Sequence, residues 1–131
     1  MIGLDTNVLL RAATDDDPVQ SPIAQRHLWT LTAEVPGHVN TVVLSEYAWT
    51  LDRRYDYARA QICASIRALL ESKCYVVAER DVVSRALGRA LEDGLDFPDA
   101  LLCELNLAAG CTTTLTFDRT AARCAGFTPA A

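Results

Sequence analysis

The chain has 131 residues, of which half are hydrophobic, and a formal net charge of −5 at pH 7. This length predicts one domain, residues 1–131, large enough to hold a real core. The acidic balance argues against a protein that binds nucleic acid over its whole surface, but permits a nuclease whose acids are neutralised locally by metal ions. There is no apolar run long enough for a membrane span and no basic leader, so we expect a cytoplasmic protein without membrane contact.

The chain opens with an apolar run, residues 2–4, which predicts a buried central strand. The polar residues 5–7 follow, and their types favour the start of a helix, so we expect about one helical turn from Val8. Asp5 would then stand at the carboxyl end of a strand, which is the edge where open α/β sheets bind their ligands.

Turn residues divide the next part of the chain. Ser21 and Pro22 are typical of the cap and first residue of a helix, with His27 on its apolar face, and Pro36 ends that helix. Residues 38–40 predict a short strand.

Two adjoining helices are predicted next. Thr41 is expected to cap a largely apolar helix over residues 42–55. Asp56 breaks the pattern, and a second helix covers residues 57–71. The tight corner between them predicts an α-hairpin.

The second half of the chain continues the alternation of strands and helices. The predicted elements are a strand at 74–78, a helix capped by Asp81, a buried helix from Asp96 to about 109, a strand at 112–116, a short helix at 120–124 and a stub strand in the tail. This order predicts an α/β fold in which a central parallel sheet lies between helices, an α/β/α sandwich.

Three aspartates stand where a parallel sheet collects ligands. Asp5 and Asp118 each follow an apolar strand directly. Because the carboxyl ends of parallel strands share one edge of a sheet, the two acids can meet if their strands are close. Asp99 lies in the first turn of a helix, where the helix dipole favours an anion.

Glu46 is the most unusual acid in the sequence. At helical spacing it shares a face with Val42 and Trp49, so we expect a carboxylate that points where apolar groups point. Burying such a charge is costly unless it is paired, and a metal ion would supply the missing positive charge.

Each acid also has a purely structural explanation. Asp5 can be a simple helix cap, Asp118 a turn residue, and Asp99 a partner of the capping residue Asp96. Glu46 can reach water at the edge of its helix. Taken together, however, the four acids are hard oxygen ligands without a His or Cys cluster, and this set suits Mg²⁺ or Mn²⁺ better than zinc.

Four segments occur in the order and spacing of a PIN-domain ribonuclease, and the chain most resembles the VapC-type toxin of bacterial toxin–antitoxin pairs. They are residues 4–7, 45–46, 96–100 and 115–119. The resemblance covers essentially the whole chain and implies a PIN-like fold and the cleavage of RNA with Mg²⁺ or Mn²⁺. It also implies a homodimer that is inhibited by a cognate antitoxin protein.

The resemblance assigns roles to individual residues. The acidic cluster that binds metal and carries catalysis would be Asp5, Glu46, Asp99 and Asp118. Supporting polar groups would be Thr6, Asn7, Asp96 and Thr116. Apart from the resemblance, we expect arginines around the pocket to select the RNA, with Arg11, Arg53, Arg54 and Arg119 as candidates, and the alternative for each is a solvated helix face.

Two other functions remain open from the sequence. A phosphoacceptor receiver domain has a similar length, a parallel sheet and acids at strand ends, but the single lysine, Lys73, precedes a strand instead of following one. A PIN-like domain that binds RNA or protein without cutting is the second alternative, and the presence of all four acids argues against it.

Overall fold

Short parallel strands alternate with six α-helices along the chain, as a computed structural model describes for residues 1–131. The helices are α1 (Thr6–Thr14), α2 (Gln20–Trp29), α3 (Thr41–Tyr55), α4 (Arg59–Glu71), α5 (Arg80–Glu92) and α6 (Phe97–Ala108). The strands are β1 (Ile2–Gly3), β2 (Gly37–Val39), β3 (Tyr75–Val77), β4 (Thr114–Thr116) and β5 (Phe127–Pro129). These elements form two compact units, Met1–Glu79 and Arg80–Ala131. None of the helices has the length and hydropathy that crossing a membrane requires.

The first unit is built on a three-stranded parallel sheet in the order β1-β2-β3. Gly37 pairs with Ile2 on one side and with Tyr75 on the other. The prediction of β1 as a buried central strand is wrong: β2 is the middle strand, and Ile2 is 52% exposed. β1 is short because the chain turns into the cap of α1 only two residues later, at Asp5.

Gly37 is required by a close approach within this unit. A Cβ atom at this position would lie 2.7 Å from Leu4 Cδ1 and 2.9 Å from Leu31 Cδ1. Leu31 is buried. Glycine therefore allows β2 to pack directly against two leucines.

The first two helices differ from their predicted bounds. α1 runs for nine residues instead of one turn and buries Leu9 and Leu10. α2 begins at Gln20, one residue before the predicted cap Ser21, because Asp17 supplies the acceptor: its Oδ1 accepts hydrogen bonds from the backbone of Val19 and Gln20. His27, predicted to lie in the core, is exposed.

The long α-hairpin forms as predicted. Asn40, and not Thr41, caps α3, because its side-chain oxygen accepts the Val43 N–H at 2.9 Å. Asp56 follows α3 in the left-handed conformation, with φ of 56°, and ends it. α4 begins at Arg59 and packs against both α3 and β3.

The second unit consists of the packed helices α5 and α6 and a two-stranded parallel sheet of β4 and β5. A short 3-10 turn, Ala121–Arg123, lies between the strands where a short helix is predicted, and the predicted stub strand is present as β5.

Arg89 joins the elements of the second unit. Its guanidinium donates to Asp93, to the Cys103 sulfur and to the carbonyl of Ala125. Gly126 follows in the left-handed region, with φ of +90°, and a Cβ there would lie 2.5 Å from the Cys103 sulfur. The entry to β5 is thus held tightly against α5 and α6.

Candidate active site

Asp5 and Glu46 are linked through the buried residue Thr6 in the first unit. The Asp5 Oδ1 accepts the Thr6 backbone N–H at 2.8 Å, which starts α1 directly after β1. The Thr6 hydroxyl donates to the Glu46 Oε1 at 3.4 Å, although the two residues are 40 positions apart in sequence. The packing of α1 against α3 makes this contact possible. The sequence relates Asp5 and Glu46 only through the family resemblance. In the structure, both acids contact the same residue, Thr6.

The predicted environment of Glu46 is wrong. Val42 and Trp49, which share its helical face, are 65% and 51% exposed, and Glu46 itself is exposed. The face of α3 that enters the core carries Leu44, Tyr47 and other apolar residues instead. Glu46 is thus not a buried charge, and water is available to complete the coordination of any ion it binds.

Asn7 and Arg11 lie beside a groove between α1 and α2. The groove has a volume of about 280 Å³. Its lining is Asn7, Val8, Arg11, Gln20, Ile23, Ala24 and His27. Arg11 is held by its own neighbours, since Nε donates to Gln20 at 2.9 Å and Nη1 lies 3.1 Å from Asp16 Oδ1. Its predicted contact with RNA would have to compete with these bonds.

Asp16 is the centre of that polar network. It accepts hydrogen bonds from the hydroxyls of Tyr55 at 2.7 Å and Thr14 at 2.8 Å, in addition to its contact with Arg11. These donors, with the Tyr55 hydroxyl first, lower the pKa of Asp16 from 3.8 to about 2. The network fastens the end of α1 to the end of α3.

Arg53 and Arg54 are exposed near the end of α3. The Arg53 guanidinium lies over the indole of Trp49, 5.8 Å from the ring centroid, and its Nε is 3.5 Å from Asp52. Ser45, Glu46, Trp49 and Thr50 line a shallow groove of about 240 Å³ on this side of the helix.

In the second unit, Asp96 and Asp99 lie at the start of α6. Asp96 is the N-cap residue, as predicted, and Asp99 lies in the first turn and is half-buried. Pro98 occupies the beginning of the helix, where its missing N–H costs no hydrogen bond. Both aspartates engage other groups of the protein.

Asp118 caps the 3-10 turn that follows β4. Its Oδ1 accepts the Ala121 N–H at 2.9 Å, and its own N–H donates to the Thr116 hydroxyl at 3.0 Å. Asp118 and Arg119 are exposed. The two predicted site residues Thr116 and Asp118 thus meet, and the structural explanation of Asp118 as a turn residue is realised. β1 and β4 belong to different hydrogen-bonded sheets, so strand register alone does not relate Asp118 to Asp5.

The donor set in the first unit fits a hard divalent cation. No three His, Cys, Asp or Glu side chains are grouped closely enough to hold a metal ion by themselves. Mg²⁺, however, is often bound through only one or two carboxylates, with water filling its other positions. Asp5 and Glu46 provide two exposed carboxylates, and Thr6 contacts both, Asp5 through its backbone N–H and Glu46 through its hydroxyl.

Sequence reasoning assigned no role to Glu104 or to the ring of Trp49. Glu104 is only 8% exposed, and its Oε2 lies 3.9 Å from Arg85 Nε, so it is a structural acid between α5 and α6. The available signal was a glutamate among apolar residues in the middle of a largely buried helix. Helical spacing puts Trp49 on the same face as Val42, but spacing alone does not show that this face is open to solvent.

A comparison with protein families matches the chain to the PIN domain over residues 2–126. A comparison with curated proteins finds no match. The family match runs through both units, confirms the predicted PIN-like α/β fold and decides against a receiver domain. PIN domains are generally nucleases, and they typically use divalent metals. The chain belongs to the PIN-domain family.

Proposed function

We propose that the protein is a metal-dependent endoribonuclease that hydrolyses RNA phosphodiester bonds. The observation that carries this proposal is the link from Asp5 through Thr6 to Glu46. It joins, within a PIN-domain chain, two acids from distant parts of the sequence at a surface open to water. Mg²⁺ or Mn²⁺ is the cofactor that this oxygen-only donor set fits.

Asp5 and Glu46 would hold the ion in the first unit. A bound divalent cation activates water for attack on phosphorus and stabilises the charge that develops on the leaving oxygen. Thr6 orients Glu46 through its hydroxyl, and the backbone N–H of Thr6 fixes one Asp5 oxygen. Asn7, one residue on, offers an amide that can donate to a phosphate oxygen or to a water.

Asp99 and Asp118 are proposed to contribute the remaining carboxylates, with Asp96 and Thr116 in support. The PIN-type segments that contain them are the basis for this assignment. The capping bond of Asp118 uses Oδ1 as acceptor, which leaves Oδ2 as the oxygen for a ligand role.

The experiment compares RNA cleavage by the wild type, Asp5→Asn and Glu46→Gln, each with Mg²⁺, with Mn²⁺ and with EDTA. Asparagine caps helices about as well as aspartate, so Asp5→Asn removes the charge and keeps α1. We expect a loss of cleavage of at least about 100-fold in both variants, as for other groups that act in the transition state. Glu71→Gln is the matched control, because Glu71 is also an exposed helical glutamate of the first unit.

Equal cleavage in all variants, or full cleavage in EDTA, would overturn the proposal. A wild type that binds RNA, fails to cut it and shows no Mg²⁺ or Mn²⁺ binding by calorimetry would identify the chain as a non-cutting PIN-like binding domain.

The resemblance to VapC-type proteins supports a finer proposal, in which the nuclease is a toxin. The cognate antitoxin would then cover the acidic site, the toxin would be a homodimer, and both would act in the cytoplasm. Induction of the wild-type chain in a bacterial host is expected to stop growth, while Asp5→Asn is tolerated. Unimpaired growth of a host that expresses the wild-type chain well would contradict the toxin assignment. It would leave the nuclease assignment unchanged.

A further inference from the structure

Trp49 exposes its indole on the surface that carries Glu46. The residue is 51% exposed. The residues at its sides are polar, because Ser45, Glu46 and Thr50 complete the lining of the shallow groove. Exposed Val42 lies on the same face, but Glu46 stands between it and Trp49. A carboxylate therefore interrupts the apolar surface, whereas the core of a protein interface is depleted of charge.

A cation already lies against this ring. The Arg53 guanidinium is 5.8 Å from the indole centroid, within the range of a cation–π contact. The arginine thereby keeps its charge beside the aromatic plane, although Asp52 at 3.5 Å offsets part of it. An aromatic plane next to a positive charge is complementary to a nucleotide, which offers a base to stack and a phosphate to pair.

The spacing along α3 also fits a nucleotide strand. Glu46, Trp49 and Arg53 follow one another at intervals of three and four residues and therefore share one helical face. With a rise of about 1.5 Å per residue, Trp49 stands roughly 5 Å and Arg53 roughly 10 Å along the helix from Glu46. The aromatic ring of Trp49 therefore lies about one helical turn from the Glu46 carboxylate, and the positive charge of Arg53 lies about two turns from it.

We propose that Trp49 is a stacking platform for an unpaired RNA base next to the scissile phosphate, with the base on the ring face opposite Arg53 and Arg53 bound to the neighbouring phosphate. The inference rests on the proposed nuclease function and adds to it the residues that would hold one base and one phosphate of the RNA strand. A paired base keeps its faces inside the duplex, whereas an unpaired base can stack on a protein aromatic ring. Ser45 and Thr50 would contact the edge of that base through their hydroxyls.

The test measures binding in EDTA, so that it does not depend on cleavage. The probe is a short, fluorescein-labelled single-stranded RNA of mixed sequence, and the readout is fluorescence anisotropy. Trp49→Ala is expected to weaken binding roughly 5- to 150-fold, the usual range for one lost base–aromatic stack. Trp49→Phe should retain most of the affinity. The control is Trp29→Ala, because Trp29 is 90% exposed but belongs to α2.

Two further measurements separate stacking from a structural effect. The chain contains two tryptophans, so in a Trp29→Phe background the emission of Trp49 alone should be quenched by the RNA. An RNA with abasic sites should bind the wild type less tightly, yet bind Trp49→Ala no less tightly than the intact RNA does. Circular dichroism of each variant verifies the fold.

The outcomes are distinct. Three results would overturn the inference: unchanged affinity of Trp49→Ala, equal affinity of the wild type for the single-stranded RNA and for the same RNA annealed to its complement, or no binding by the wild type. A variant that loses only self-association in the ultracentrifuge would identify this face as a contact between copies of the chain instead. Loss of RNA cutting in Asp5→Asn with normal Trp49 quenching would support both proposals. Quenching in a wild type that never cuts would refute the nuclease and the position of Trp49 beside a scissile phosphate, and would leave base stacking on Trp49 standing.

Discussion

At the scale of single residues, the acids of this chain differ in what surrounds them. Asp16 is saturated with donors from Tyr55, Thr14 and Arg11, and its role is structural. Asp5 and Glu46 have fewer protein donors and face solvent. A carboxylate that the protein leaves accessible is suited to a cation from solution, and one that the protein fully engages is suited to hold helices together.

The Asp16 network gives a prediction on pH. The pKa of Asp16 is about 2 in the folded protein, against 3.8 for an ordinary aspartate. A lowered folded-state pKa means that this contribution to stability is present above about pH 4 and is lost as the pH falls toward 2. Tyr55→Phe removes the largest cause of the shift, so the carboxyl should titrate closer to 3.8 and the variant should lose less stability between these pH values.

Carbon-detected NMR titration of the Asp16 carboxyl, together with urea unfolding at several pH values, checks this expectation. Tyr57→Phe is the matched control, because Tyr57 is a nearby tyrosine outside the Asp16 bonds. An unchanged Asp16 titration in Tyr55→Phe would show that the hydroxyl does not set this pKa.

At the scale of elements, the N-terminal caps of the helices help to position the site residues. Asn40 caps α3 through the Val43 N–H, and α3 carries Glu46 and Trp49. Asn40→Ala leaves that donor without its side-chain acceptor and should lower the free energy of unfolding by about 1 kcal/mol. Chemical denaturation measures the loss. Asn40→Asp, which preserves the acceptor, should restore most of the stability, and equal losses in both variants would exclude the cap as the cause.

The sequence predicts the presence of each helix and strand, and its errors of secondary structure concern bounds, as at α1 and α2. The break at Asp56 and the capping position of Asp96 follow from the types of the neighbouring residues, and both predictions are confirmed. The start of α2 was misplaced because Asp17 reaches forward to Gln20 through its side chain, a contact that competes with the Ser-Pro signal. α1 was predicted too short because its polar first turn hides the helical pattern.

The exposure of Glu46 could not be predicted for a different reason. Helical periodicity shows which residues share a face, but not whether that face meets the core or the solvent. Val42 and Trp49 are hydrophobic, so their helical face has the pattern of a buried face. The face that is buried in the core carries Leu44 and Tyr47. The hydroxyl of Thr6 next to Glu46 depends on how α1 packs on α3, and no local pattern contains that information.

At the scale of the whole molecule, binding of a divalent metal should increase the stability of the folded protein. A ligand that binds only the folded state stabilises it by about 2.7 kcal/mol at a concentration 100 times its Kd. Thermal unfolding of the wild type should therefore shift upward with rising Mn²⁺. Asp5→Asn should show a smaller shift, and Glu71→Gln the wild-type shift. Identical shifts in all three proteins would place the ion elsewhere than on Asp5.

The tight seam between Gly126 and Cys103 has an evolutionary consequence. With φ at +90° and the sulfur 2.5 Å from where a methyl group would begin, position 126 is closed to side chains in this lineage. A smaller residue at 103 would remove the contact but not the backbone strain at φ of +90°, so homologues are expected to keep glycine at 126 whatever stands at 103.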